Sequence, residues 1–349
     1  MMIDRILAAY DTGLDAWNAR PIGAGLIHQT WAICDAQDQP RFILQELNTQ
    51  VFKRPLDIAQ NLHILGDYLA LHQPDYLLPL PIPTISGQAM AVMDNRYYRL
   101  TPFVTGSTVF NTCMSPNQAY EAAKQFGRFS AVFSGLDMRL LRETIPGFHN
   151  LSGRWTQFSK AVEEAIPERL QEAKAAVRSL QDQYPLVERY QRIQASPAFN
   201  TLVIHHDTKI SNVLFDARGK GLCVIDLDTV MPGYFISDVG DMMRTYLSPA
   251  NEEESDLQRV GVRPDFYTAI REGYLEMMAD HLSPEEKDHF FFAGEFLIYM
   301  QALRFLADFL VGDPYYGAAY EGHNLHRARN QLALLSDYQR LTESVGGSR

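Results

Sequence analysis

The strongest constraint on the fold is an island of strand-like sequence set inside a helical half. From Thr201 to Asp228 the chain reads TLVIHHD, then SNVLFD, then GLCVIDLD. Apolar runs this short, rich in Val, Ile, Leu and Phe, read as buried strands. The turn Asp216-Ala217-Arg218-Gly219 between the last two runs suggests a β-hairpin. Helical patterns flank the island. Asn117 to Ser134 carries Phe126, Phe129 and Phe133 on one face. Ser283-Pro284-Glu285-Glu286 reads as an N-cap, a Pro at the first helical position and acid in the first turn. The helix it starts is expected to run to Gly312, which suits a C′ position.

The N-terminal part has a different texture. From about Ile22 to Phe103 the pattern is mostly short strands: RFILQEL over 41–47, QAMAVMD over 88–94 and RYYRLTPF over 96–103. One helix interrupts them near 56–72, with Ile58, Leu62, Leu65 and Leu69 at helical spacing. No internal repeat or low-complexity tract is present. The expected class is α+β, a bilobal protein-kinase-like fold. A small strand-rich N-lobe over 1–104 would bind nucleotide. A larger helical C-lobe over 105–349 would carry the catalytic loop, with 101–106 as the hinge.

The chemistry is concentrated in the island. His205-x-Asp207-x₄-Asn212 is followed by Asp226, fourteen residues beyond the Asn and on an apolar strand. This is the kinase catalytic-loop pattern followed by a metal-binding Asp. An acceptor hydroxyl needs a carboxylate within hydrogen-bond reach to orient it and take its proton, and Asp207 suits that role. Mg²⁺ prefers hard oxygen ligands, which Asn212 and Asp226 supply. Lys209 is placed to meet the γ-phosphate as a point charge, or else is an exposed loop residue. Adjacent His205 and His206 on an extended segment point to opposite faces, so they chelate one ion poorly. His205 is read as a buried brace of the loop.

Composition narrows the partners. With 31 Lys and Arg against 42 Asp and Glu, the formal net charge is −11, and no basic stripe is present to track nucleic acid. Cys34, Cys113 and Cys223 are too scattered for a metal site and suit a reducing compartment. The start lacks an apolar stretch long enough for a signal peptide. The most apolar region, 290–310, is interrupted by Glu295, Gln301, Arg304 and Asp308, which suits a buried helix better than a membrane span. A cytoplasmic protein with no membrane partner is expected.

These residues resemble the aminoglycoside phosphotransferase and choline kinase superfamily, and more narrowly the N-acetylhexosamine 1-kinases. The likeness runs through IGAGLIHQTW, RFILQELNTQVF, YRLTPF, HHDTKISNVLFD, VIDLDTVMPG, DVGDMMR, LRFLADFLVGDPYY and HNLHRARNQ, in that order. It implies ATP as co-substrate with Mg²⁺, and a hexosamine acceptor phosphorylated on its anomeric hydroxyl. It also implies that Arg304 and Tyr315 hold the sugar, and that Asp238 braces the catalytic loop. The alternative for Arg304 is an ion pair with Asp308, four residues along the same helix. Gly23 and Gly25 would cover the nucleotide. The usual third-strand Lys of kinases falls at Gln45, and its Glu partner falls near Asn61. A neutral Gln45–Asn61 hydrogen bond is the expected replacement, with Gln45 at the ATP site. A family histidine that contacts sugar falls at Leu26, with His28 two residues on as the moved contact.

Two other readings stay open. One is a kinase for a different small acceptor such as an aminoglycoside, to which the acidic run Glu252-Glu253-Glu254-Ser255-Asp256 could be attractive. The other is a non-catalytic nucleotide- or sugar-binding protein, in which Gln45 marks lost chemistry.

Overall fold

The computed structural model describes residues 2–14, 16–22 and 28–345. The chain is mixed α+β, with a small antiparallel sheet near the N-terminus and a larger helical part. It divides into two compact units at several points along the sequence. The first comprises Met1–Val109, Val132–Pro146 and Val213–Pro232; the second comprises Phe110–Ala131, Gly147–Asn212 and Gly233–Arg349.

The sheet has five strands: β1 (Trp17–Pro21), β2 (Gln29–Asp35), β3 (Pro40–Glu46), β4 (Ala91–Met93) and β5 (Arg96–Pro102). Their order is β1-β2-β3-β5-β4, with every neighbouring pair antiparallel. β1 precedes the strand-rich stretch read from the sequence. It is an edge strand that ends on Pro21, where a missing N–H is tolerated. Strand alternation sorts the two faces. Leu44 and its register partner Leu100 are buried with Ile33 and Tyr98 against Ile6, Leu7 and Tyr10. One residue along, Thr30, Gln45 and Arg99 are register partners across β2, β3 and β5, so they share the opposite face.

The helix Pro55–His72 buries Ile58, Leu62, Leu65 and Leu69, and Asn61 lies among them. The expected hairpin pairs Val213–Phe215 with Gly221–Val224. Asp216 Oδ1 closes its turn by accepting from the backbone N–H of Arg218 at 2.8 Å and of Lys220 at 3.0 Å. Gly219 has φ +78°, a conformation that favours glycine.

In the second unit, the Ser283 capping box forms as expected: Glu286 N donates to Ser283 Oγ, and Ser283 N donates to Glu286 Oε2. The helix does not run unbroken to Gly312. It stops at Asp288 and restarts as Phe290–Leu310. The His289 ring Nδ1 donates to the Glu285 carbonyl at 2.8 Å, taking the acceptor that a continuing helix would give to the His289 backbone. Phe290–Leu310 is long and apolar enough to cross a membrane, but 78% of its apolar 18-residue window is buried inside the protein. It packs closely on the helix Phe235–Tyr246. A Cβ at Gly240 would collide with the Ala293 carbonyl oxygen, so glycine permits the approach. That helix carries two carboxylates into the interior, Asp238 and Asp241.

Candidate active site

The buried strand Leu202–Ile204 delivers a loop that has no ladder of its own, so its N–H groups need other acceptors. Two helical carboxylates supply them. Asp238 accepts from the backbone of His205 at 3.0 Å and of His206 at 2.7 Å. Asp241 accepts from Thr208 N at 2.7 Å, and Thr208 Oγ1 donates to the Asp238 carbonyl at 2.9 Å. His206 sits at φ +65°, a left-handed position held by these bonds. Asp238 is therefore the loop brace that the resemblance implied. Burial pushes its carboxyl up to about 7, against the lowering effect of the two backbone donors.

The loop presents Asp207. Lys209 Nζ lies 2.9 Å from its Oδ2. Burial alone would raise the Asp207 carboxyl, but Lys209, His205 and Asn212 outweigh it and hold it below the ordinary value. The group is thus an ionised acceptor at neutral pH. Asn212 donates from Nδ2 to the Asp207 carbonyl at 2.9 Å, which commits the nitrogen and turns Oδ1 toward other partners. An amide oxygen fixed in this way fits a hard cation. His205 is fully buried and meets the edges of Phe126 and Phe129, in keeping with a bracing role.

In the first unit, Asp226 ends the hairpin in a left-handed conformation, with φ 62° and ψ 61°. The ligating atoms of His28, Asp226 and Asp228 lie within 4.8 Å of one another. Asp228, however, is engaged by Arg99 Nη1 and by His28 Nε2, the latter at 2.5 Å. His28 Nδ1 accepts from Asn48 N at 3.0 Å. With Nδ1 accepting, Nε2 is the nitrogen that donates to Asp228. Burial would raise the Asp228 carboxyl, but Arg99 and His28 bring it well below the usual range. Both ring nitrogens of His28 are thus committed inside the protein. Its assignment to the sugar is not what the geometry displays, and the histidine anchors Asp228 instead.

The expected Gln45–Asn61 bond is absent. Gln45 accepts from Arg99 Nε at 2.9 Å and donates to Thr30 Oγ1 at 3.5 Å. Asn61 donates to the carbonyls of Arg142 at 2.9 Å and Val230 at 3.0 Å, and accepts from Arg142 N at 2.8 Å. Three backbone groups use up its amide. Gly23 and Gly25, and with them Leu26, lie outside the described residues.

Ring contacts lead from the catalytic loop to a cavity in the second unit. His206 lies 5.2 Å from His149 and 6.4 Å from Phe148, and the Arg304 guanidinium is 5.7 Å from the Phe148 ring. Burial first, then His206 and Arg304, keep His149 well below its ordinary pKa and so neutral. The cavity is about 420 Å³, with Arg154, Gln157, Arg304, Tyr315 and Tyr316 among its lining. Arg304 does not pair with Asp308. Asp308 accepts from the backbone of Tyr315 and Tyr316 at 2.8 and 2.9 Å and so holds their loop. Arg304 donates to Gln301 at 3.0 Å, lies near both Tyr rings, and forms no ion pair among the described residues. Beside it, Arg154 is pushed down by burial and by Arg304, and its Nε is buried with no hydrogen-bond partner.

The sequence reading missed Arg99, Asp228, Arg154 and Tyr316. Asp228 stands in VIDLD and carried a local signal. Arg99 carried none, since only strand register sets it beside Gln45.

Solved structures share this fold. A microcompartment-associated aminopropanol kinase aligns at TM-score 0.61 and 17% identity, covering 99% of this chain and 98% of its own. An aminoglycoside phosphotransferase from Alicyclobacillus acidocaldarius aligns at 0.58 and 13%, covering 98% and 96%. A choline kinase from Cryptosporidium parvum aligns at 0.57 and 12%, covering 95% and 91%. A sequence match to the phosphotransferase enzyme family spans residues 18–279, most of the chain, and the chain belongs to that family.

Proposed function

We propose that this phosphotransferase moves the γ-phosphate of Mg·ATP onto the anomeric hydroxyl of an N-acetylhexosamine or a related free sugar. The carrying observation is the cavity connected to the Asp207 loop through the contacts of His206 with Phe148 and of Phe148 with Arg304. It offers Tyr rings and two guanidiniums, and its two lining carboxylates are engaged: Asp308 accepts from backbone donors and Glu164 lies 3.6 Å from Lys160. Planar rings and fixed N–H donors suit a polyhydroxyl ring. A polycationic acceptor such as an aminoglycoside would meet Arg154 and Arg304 with like charge. Three of the four carboxylates of the acidic run are already paired: Glu252 with Arg244 and Arg327, Glu253 with Arg327 and His323, and Glu254 with Arg259.

In this reading Asp207 accepts the acceptor proton. Its depressed pKa makes it a weak base, adequate for an anomeric hydroxyl, which is more acidic than an ordinary alcohol. Lys209 leaves Asp207 to meet the migrating charge on the phosphoryl group. Asn212 and Asp226 are the proposed Mg²⁺ ligands, and the ion supplies charge neutralisation at the phosphate oxygens. A panel of free sugars, uronic acids, aminoglycosides and amino alcohols with ATP and Mg²⁺ tests the reading. Sugar-dependent ADP release with an acid-labile 1-phosphate, located by phosphorus NMR, is the expected result. Turnover confined to amino alcohols or aminoglycosides would reject the sugar assignment.

A further inference from the structure

The usual kinase cation stands on the third strand, paired with a helical Glu, and contacts the nucleotide phosphates. This chain has Gln45 on β3 and Asn61 on the helix, and Asn61 is spent on backbone groups. A charge pair nevertheless exists one strand away. Arg99 on β5 is the register partner of Gln45, on the same sheet face, and is 3% exposed. Its Nε donates to Gln45 Oε1 and its Nη1 to Asp228. Among the described residues Nη2 makes no hydrogen bond.

We propose that the phosphate-binding cation of this enzyme is transposed from β3 to β5. Arg99 is the residue that meets the nucleotide phosphates, and Asp228 serves as its orienting acid. The proposal rests on the kinase reading above. Gln45 then contacts Arg99 and orients it, and the Gln on β3 marks relocated charge. A guanidinium suits the position better than an ammonium. Its planar fork gives one donor to Gln45, one to Asp228 and leaves a third for an oxygen anion. His28 serves the same end, because its contact with Asp228 helps to fix the acid that orients Arg99.

The test compares the wild type with Arg99→Gln, Arg99→Lys and the transposing double variant Gln45→Lys/Arg99→Gln. Calorimetry measures binding of Mg·ATP, Mg·ADP and adenosine to each, with thermal unfolding as the folding control. Arg99→Gln is expected to weaken ATP and ADP binding by roughly tenfold to a hundredfold, the size of a lost charged hydrogen bond, with adenosine unchanged. The double variant is expected to recover at least about tenfold of that loss, because it returns an ammonium to the β3 position where other kinases keep their cation. ATP binding unchanged in Arg99→Gln, or adenosine lost in proportion to ATP, overturns the proposal and leaves Arg99 a structural ion-pair residue. Should Arg99→Gln not fold, Arg99→Lys decides: a retained preference for ATP over adenosine supports the charge role, and its loss with the fold intact overturns it. A wild type that binds neither nucleotide sinks the kinase reading and this proposal together.

Discussion

The two units hold their chemistry by different means. In the helical unit, the Asp207 loop hangs from buried carboxylates that accept backbone N–H groups, Asp238 taking two and Asp241 one. In the strand-bearing unit, the turn after Asp226 is held by side-chain charge, with Asp228 between Arg99 and His28. The first device uses residues about thirty positions apart and fixes main-chain shape. The second joins residues more than a hundred positions apart, through side-chain contacts made by tertiary packing. A main-chain brace preserves geometry whatever the loop side chains are. A charge network ties geometry to the identity of every member.

The largest expected effect lies on the presented side chain. Asp207→Asn should cut turnover by roughly 10²–10⁴-fold with nucleotide affinity kept, as for loss of a general base. Steady-state ADP release checks it, and near-normal turnover would remove Asp207 from the mechanism. Next comes the charge network. Asp228→Ala leaves Arg99 buried without a counter-charge and should cost about 3–5 kcal/mol of stability. A urea titration showing a loss below about 1 kcal/mol would mean that the pair behaves as a surface bridge, and the contrast between the units would fail.

Asp238→Asn is a milder break in the other unit. One amide oxygen cannot serve both His205 and His206, so about 1–3 kcal/mol should be lost. The pH dependence has a defined sign. Asp238 titrates near 7 in the folded protein, above its value of about 4 when unfolded. The native state therefore holds the extra proton, and this group's contribution to stability is lost as pH rises from about 4 through 7. The gap between wild type and Asp238→Asn should shrink over that window, read as melting temperatures. A gap that widens with pH would show that the carboxylate is charged in place.

The smallest effect is at the cavity proposed for the acceptor. Arg304→Gln should raise the acceptor KM by about tenfold, the worth of one lost charged contact, with the ATP KM unchanged. A change confined to ATP would detach the cavity from the acceptor.

The sequence by itself determined the class of fold, the hairpin and the order of Asp207, Asn212 and Asp226, because each rests on local pattern: strand runs, turn chemistry, and a loop motif within some two dozen residues. Helix ends were legible where the cap is local, as at Ser283, and illegible where a side chain intervenes, as at His289. Tertiary structure alone decided who partners whom. Gln45 meets Arg99 because antiparallel register sets them side by side, and a shift of one residue would send them to opposite faces. Asn61 turns to backbone carbonyls, Asp308 to the loop of Tyr315 and Tyr316, and His28 to Asp228, since a buried polar group takes the partner that packing brings within reach.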